Sequence, residues 1–95
     1  MAIYLIIPLR QETVEIDTAI TSIIDEQDRF QLQGNSGWLV RFAGTTKEVS
    51  DKIGITGQKE GEAATLGSAL VTPVTSYYGR GPADMWEWLK IRFEQ

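Results

Sequence analysis

The sequence predicts an α+β domain with a four-stranded antiparallel sheet, and three observations lead to this prediction. An unbroken apolar run near the start has the composition of a buried strand. Two later stretches carry apolar residues at helical spacing. Two alternating segments flank a Gly-Asn-Ser-Gly turn, which is typical of a β-hairpin. The 95 residues suffice for one core, so we expect a single domain over residues 1–95.

The first half of the chain predicts a strand, a helix and a hairpin. The strand covers residues 3–7, and a helix follows over residues 15–28. Its apolar stripe falls at i, i+3, i+4, i+7 and i+8 and consists of Ile16, Ala19, Ile20, Ile23 and Ile24. Alternation over residues 29–33 and 38–43 predicts two strands joined by the turn at residues 34–37.

The second half predicts a helix, a strand and an added helix. Thr45 and Glu48 form a capping-box pattern for a helix that ends at Gly54. A polar loop over residues 55–65 leads to a strand over residues 66–76, where Pro73 favours a sheet edge. Pro82 suits the first position of the last helix. One side of that helix carries Met85, Trp86, Leu89 and Phe93, with Trp88 to the flank.

This order of elements is that of the ferredoxin-like βαββαβ fold with an extra C-terminal helix. Such a sheet has its first and third strands in the centre and its second and fourth strands at the edges. We expect the helices to cover one face and leave the other open. Because an open face and free edges commonly recruit a partner, we expect a homodimer.

Composition excludes several kinds of function. The chain has no cysteine and no histidine, which excludes thiol catalysis, Ser-His catalysis and zinc chemistry. We therefore expect no metal, no cofactor and a reducing cytoplasmic location. No apolar run is long enough to cross a membrane, and the first residues lack a secretory-signal pattern. A net charge of −4 favours a protein partner over nucleic acid.

Short motifs at several places resemble the SinR-like group of small proteins, whose fold is similar to the CRISPR-associated integration subunit and the VapD-type toxins. The motifs are Ala2-Ile3-Tyr4-Leu5-Ile6, Gly37-Trp38-Leu39-Val40, Tyr78-Gly79-Arg80-Gly81-Pro82 and Trp86-Glu87-Trp88-Leu89-Lys90. The resemblance implies a ferredoxin-like dimer in a mobile-element, toxin–antitoxin or phage-defence setting.

The nucleases of that superfamily hold a divalent cation with an acidic residue just after the first strand. Here that place reads Ile7-Pro8-Leu9-Arg10-Gln11. Since a hard cation needs oxygen ligands, the motif argues against carrying over the nuclease activity. We therefore predict no catalytic residue. A metal-dependent nuclease is the alternative function, and it would have to use Glu12 or Asp84.

Candidate binding residues lie in the C-terminal third. Arg80, between two glycines at the entrance to a helix, suits a phosphate or carboxylate, and Tyr77 and Tyr78 offer stacking surface. The alternative is a plain strand-to-helix turn with Arg80 bonded to a neighbour. A small anion or nucleotide sensor built on Arg80 is a third possible function. We expect Trp86 and Trp88 to lie in the core and at its margin and not to form a ligand cage, and Trp88 becomes an interface anchor if it is exposed.

An acidic cluster of Asp25, Glu26 and Asp28 follows the first predicted helix. It fits either a Ca²⁺ or Mg²⁺ site or, as we expect, a solvated helix end. The leading functional prediction is a non-catalytic dimeric ferredoxin-like module that binds another macromolecule.

Overall fold

The structure is a computed structural model that describes residues 1–64 and 66–93. The strands are β1 (Ala2–Pro8), β2 (Arg29–Gln31), β3 (Trp38–Phe42) and β4 (Ala69–Pro73). The α-helices are α1 (Val14–Ile23), α2 (Thr46–Ile53) and α3 (Ala83–Phe93). Short 3-10 turns occupy Glu26–Asp28 and Gln33–Asn35. Within the described residues, no helix is long and apolar enough to cross a membrane.

The strands form one antiparallel sheet in the order β2-β3-β1-β4. The central positions of β1 and β3 confirm the prediction from the sequence, as do the edge positions of β2 and β4. Tyr4 lies opposite Val40 of β3 on one side and Pro73 of β4 on the other. Pro73 therefore lies in an edge strand, where one side of the backbone needs no ladder partner.

The larger core lies between one face of the sheet, here called the first face, and the helices α1 and α2. Alternate residues of the central strands point into this core, among them Tyr4, Ile6 and Val40. Ile16 and Ile20 of α1 pack against them and are buried. Each fully buried isoleucine contributes about 2 kcal/mol from the removal of apolar surface from water. This layer has the arrangement predicted by the stripe on the first helix.

The expectation of an open second face is wrong, because α3 packs on it. Ile3 and Leu39, which point away from the first core, form a second cluster with Trp88 and Leu89 of α3. The sheet therefore lies between two helical layers, with α1 and α2 on the first face and α3 on the second. The physical reason is the sequence of β1, which is apolar on both of its faces and needs cover on each.

Several boundaries differ from the predicted ones. The first helix ends at Ile23 and not at residue 28, and the guanidinium of Arg29 donates to the carbonyls of Thr21 and Ile24 at its end. Pro82 precedes α3, and its carbonyl accepts the N–H of Trp86. The fourth strand is shorter than predicted, and Thr65, the last residue of the predicted loop, lies outside the described residues.

Candidate partner-binding groove

α3 covers only part of the second face, and the uncovered part forms a groove of about 390 Å³. We call it the second-face groove. Leu5 and Leu39 of the central strands line its floor, and Met85 and Trp86 of α3 line one wall. Thr72 of the edge strand β4 lies on the opposite side. The predicted open face is thus reduced to a groove beside the free edge of the sheet.

An aromatic stack forms part of the groove's lining. The ring of Tyr77 stacks on Trp86, with centroids 5.8 Å apart and an interplanar angle of 21°. Phe93 lies 5.0 Å from the same tyrosine ring. The indole N–H of Trp86 donates to the carbonyl of Gly81 at 3.1 Å, which orients the tryptophan. Offset aromatic pairs of this kind are stabilising and hold their rings in defined positions.

The chemistry of the groove is apolar with a few hydroxyl groups. Among the described residues that line it, none is charged, and the polar side chains are mainly hydroxyls such as those of Thr72 and Ser76. Such a surface binds an aliphatic or aromatic group by removing apolar area from water, with the hydroxyls as hydrogen-bond partners.

The structure separates the four predicted site residues. Tyr77 and Tyr78 line the groove, and Tyr78 is fully exposed. Arg80 is also exposed, but it does not line the groove, and no hydrogen bond or ion pair holds it within the described residues. The connector from β4 to α3 therefore brings the two tyrosines to one surface and leaves the arginine outside it.

Trp88 is a core residue. An interface anchor must be exposed, and Trp88 is buried. It is 8% exposed, its ring lies 6.2 Å from that of Phe30, and its indole nitrogen has no hydrogen-bond partner in the described part of the chain. The guanidinium of Arg92 lies 5.1 Å from the centre of the Trp88 ring, in cation–π range. Trp88, predicted at the flank of the helix, is thus buried together with Leu89, while Phe93, predicted on the same side as Leu89, is 38% exposed.

The acidic residues considered for a metal site do not converge. Among residues 1–64 and 66–93, no three aspartate or glutamate side chains are close enough to hold a metal ion. Asp28 instead accepts from Nε of Arg41 at 2.9 Å. The carboxylates of Glu12 and Asp84 each accept a backbone N–H, from Val14 and Met85 respectively. Those two bonds lie at the starts of α1 and α3, on opposite faces of the sheet.

A smaller polar cavity of about 220 Å³ lies between Gln27, Asp28, Arg41 and Arg92. The side chain of Arg92 donates twice to the carbonyl of Gln27, at 2.9 and 2.7 Å. These bonds attach the end of α3 to the turn before β2. The sequence around Arg92 carries no signal for this contact, because Gln27 lies 65 residues away along the chain.

Two side chains with clearly shifted pKa values lie on α2, away from the groove. The hydrogen bond from Nζ of Lys47 to Asp51, 2.7 Å long, raises the pKa of the lysine and lowers the pKa of the aspartate. A second hydrogen bond, from the hydroxyl of Thr56, further lowers the pKa of Asp51. This is an exposed helical i,i+4 pair, which supports α2 rather than any chemistry.

Comparison of the chain with protein-family models, with curated proteins and with solved structures found no match.

Two of the predicted site residues, Tyr77 and Tyr78, line the groove, while no sequence pattern singles out the strand and helix residues that form the rest of it. Leu5, Leu39 and Met85 carry no signal that distinguishes a groove from a core, because all three are ordinary apolar residues of strands or helices. The one available hint was that β1 is apolar at consecutive positions, which requires cover on both faces.

Proposed function

We propose that the protein is a non-catalytic binding module of ferredoxin-like fold that acts as a homodimer and binds a protein partner in the second-face groove. The observation that carries this proposal is the groove itself, an apolar concavity beside an edge strand with no charged residue in the described part of its lining. Surfaces of this kind on small domains commonly serve protein recognition.

The strand order supports the ferredoxin-like assignment. A sheet with the order β2-β3-β1-β4 and all neighbours antiparallel has the two central and two edge strands that this fold requires. α1 and α2 lie together on the first face, as the two connections of a split βαβ unit do. α3 is then an addition on the opposite face.

Charge supports a protein partner rather than a nucleic acid. The chain carries a net charge of −4, and the groove contains no lysine or arginine to neutralise phosphates. Apolar and aromatic lining instead suits the side chains that dominate protein interfaces. The nuclease alternative gains no supporting observation, since Glu12 and Asp84 lie at helix starts on opposite faces of the sheet.

The biological setting of the proposal comes from the resemblance to the SinR-like group. On that resemblance, we propose a mobile-element, toxin–antitoxin or phage-defence system as its setting. The absence of cysteine suits a reducing cytoplasm as its location.

A displayed library of random peptides tests whether the groove binds protein. We expect the wild-type chain to select peptides with aliphatic or aromatic residues and to change its tryptophan fluorescence when they bind, because Trp86 lines the groove. Met85→Glu, which places a charge in the groove, should weaken binding of the selected peptides at least tenfold.

Val14→Glu is the matched control, because Val14 is an exposed apolar residue on α1, the helix of the opposite face. It should leave peptide binding unchanged. Circular dichroism of both variants checks that they fold. Equal binding by wild type and a folded Met85→Glu variant would contradict the proposal.

A further inference from the structure

The free edge of β4 presents a defined set of backbone groups. Val74 donates to the carbonyl of Ile3, and Leu9 donates to the carbonyl of Ser68, both at 2.8 Å. Because the bonding direction alternates along an antiparallel strand, Leu70 and Thr72 also direct their N–H and C=O groups toward β1. Ala69, Val71 and Pro73 therefore direct theirs outward. Each of these three residues directs a C=O acceptor outward, and all but Pro73 also direct an N–H donor outward.

The edge also lacks the charge that usually protects such strands. Residues 63–79 contain no lysine, arginine, aspartate or glutamate. Exposed edges are commonly guarded by lysine or by proline, and here only Pro73, at the end of the strand, has that effect. Two copies of a chain with a net charge of −4 repel each other, and an uncharged edge is the part of the surface where that repulsion is least.

We infer that a second copy of this chain pairs with β4 in an antiparallel arrangement, with Leu70 opposite the partner's Leu70. The inference rests on the proposed homodimer and names its interface. In this register Ala69 and the partner's Val71 exchange both of their N–H to C=O bonds, and the symmetric exchange occurs between Val71 and the partner's Ala69.

The position of Pro73 favours this register over the one centred on Val71. Centring the pair on Val71 places Ala69 opposite the partner's Pro73, which has no N–H, so the carbonyl of Ala69 loses its partner. Centring it on Leu70 moves both prolines outside these exchanged bonds. The outward groups of Ala69 and Val71 are then all satisfied.

Side chains support the same register. Leu70 is 52% exposed and lies opposite Ile7, on the second face. Facing its own symmetry mate, it gains an apolar cross-strand neighbour at the close spacing of a non-hydrogen-bonded pair. The two-fold axis is perpendicular to the sheet, so the second-face grooves of both copies open on the same side of one continuous sheet.

Disulfide trapping tests the register, and the absence of cysteine from the chain makes single-cysteine variants clean probes. A non-hydrogen-bonded antiparallel pair has a Cα–Cα distance of about 4.5 Å, within the range that a disulfide spans. Under mild oxidation, we expect Leu70→Cys to become a covalent dimer at a concentration where Val14→Cys stays uncrosslinked. Val14 is the control because it is 64% exposed and lies on α1.

Light scattering of the wild-type chain, whose subunit mass is 10.6 kDa, distinguishes a failure of the proposed interface from a failure of the proposed homodimer. A dimer mass with no more crosslinking at Leu70→Cys than at Val14→Cys overturns this interface and leaves the homodimer standing. A monomer mass at high concentration overturns both.

A second variant covers the case in which oxidation perturbs the fold. Leu70→Lys places two like charges opposite each other across the interface, and we expect it to shift the mass to that of a monomer whose circular dichroism spectrum is still that of the folded chain. Val14→Lys should remain dimeric. A Leu70→Lys variant that stays fully dimeric overturns the interface.

Discussion

Gly37, just before β3, shows how a single residue constrains the fold. Its φ of 148° lies in the region that favours glycine, and a Cβ built on it would lie 2.6 Å from the carbonyl oxygen of Ile6. Gly34, in the preceding turn, also has a positive φ, of 70°, but open space surrounds it. The turn pattern in the sequence favours glycine at both positions. Only the packing of β1 beside the turn shows that Gly37 has no room for a side chain and that Gly34 has.

Gly37→Ala should therefore destabilise the protein more than Gly34→Ala. The second change costs about 1 kcal/mol for the left-handed backbone alone. The first adds a clash with backbone that has no flexible side chain to move, so we expect a loss of about 3 kcal/mol in the free energy of unfolding. Urea unfolding of the two variants measures the difference, and equal midpoints would refute the close approach.

Trp88 and Phe93 show the limit of residue patterns. Trp86, Trp88 and Phe93 lie at different angles around the axis of α3, so the sequence does not specify which of them turns inward. The rotation of α3 is decided by Ile3 and Leu39, which contact Trp88 and Leu89. Those contacts join residues far apart in the chain and lie beyond the reach of local periodicity.

At the scale of elements, α2 was the best predicted. Its capping box is confirmed, since the hydroxyl of Thr45 accepts the N–H of Glu48 at 3.1 Å and the carboxylate of Glu48 accepts the N–H of Thr45 at 3.0 Å. Gly54 ends the helix with a φ of 101°. Both signals act within a few residues, so the sequence contains all of the interacting groups.

Thr45→Ala should destabilise the protein by about 1 kcal/mol, because it leaves the N–H of Glu48 without its side-chain acceptor. Thr18→Ala, in the exposed face of α1, is the control, and alanine's higher helix propensity should make it neutral or slightly stabilising. Thermal unfolding followed by circular dichroism compares them. A Thr45→Ala variant as stable as Thr18→Ala would argue against a contribution from the cap.

α1 was predicted too long for a reason that also belongs to the element scale. The acidic residues after Ile24 continue the polar side of the pattern, but no basic side chain in the last turn supports the helix dipole. Arg29, from the start of β2, satisfies the terminal carbonyls instead. A helix end that is capped by a following strand depends on where that strand lies.

For the whole molecule, the decisive feature is the layer formed by α3. Its docking turns a two-layer arrangement into three layers and reduces an open face to the second-face groove. The bonds from Arg92 to the carbonyl of Gln27 attach its end to the turn before β2. The groove and its aromatic wall exist because this helix covers the face only in part.

Leu89→Ala tests that layer. Leu89 is buried between α3 and the sheet, so its truncation should cost about 3 kcal/mol in the free energy of unfolding. Ile91→Ala, on the same helix but partly exposed, should cost less than half as much. Chemical denaturation measures both. Similar losses for the two variants would indicate that α3 does not dock through Leu89.

The order of the elements, the capped second helix, the hairpin and the edge position of Pro73 were all determined by the sequence alone, because each follows from composition and spacing within a short segment. The side on which α3 packs, the burial of Trp88 and the existence of the groove were decided only by the tertiary structure. Those features depend on which of two apolar sheet faces a distant helix covers. The outcome depends on the total apolar area that all the elements bury together. No local sequence pattern specifies that area.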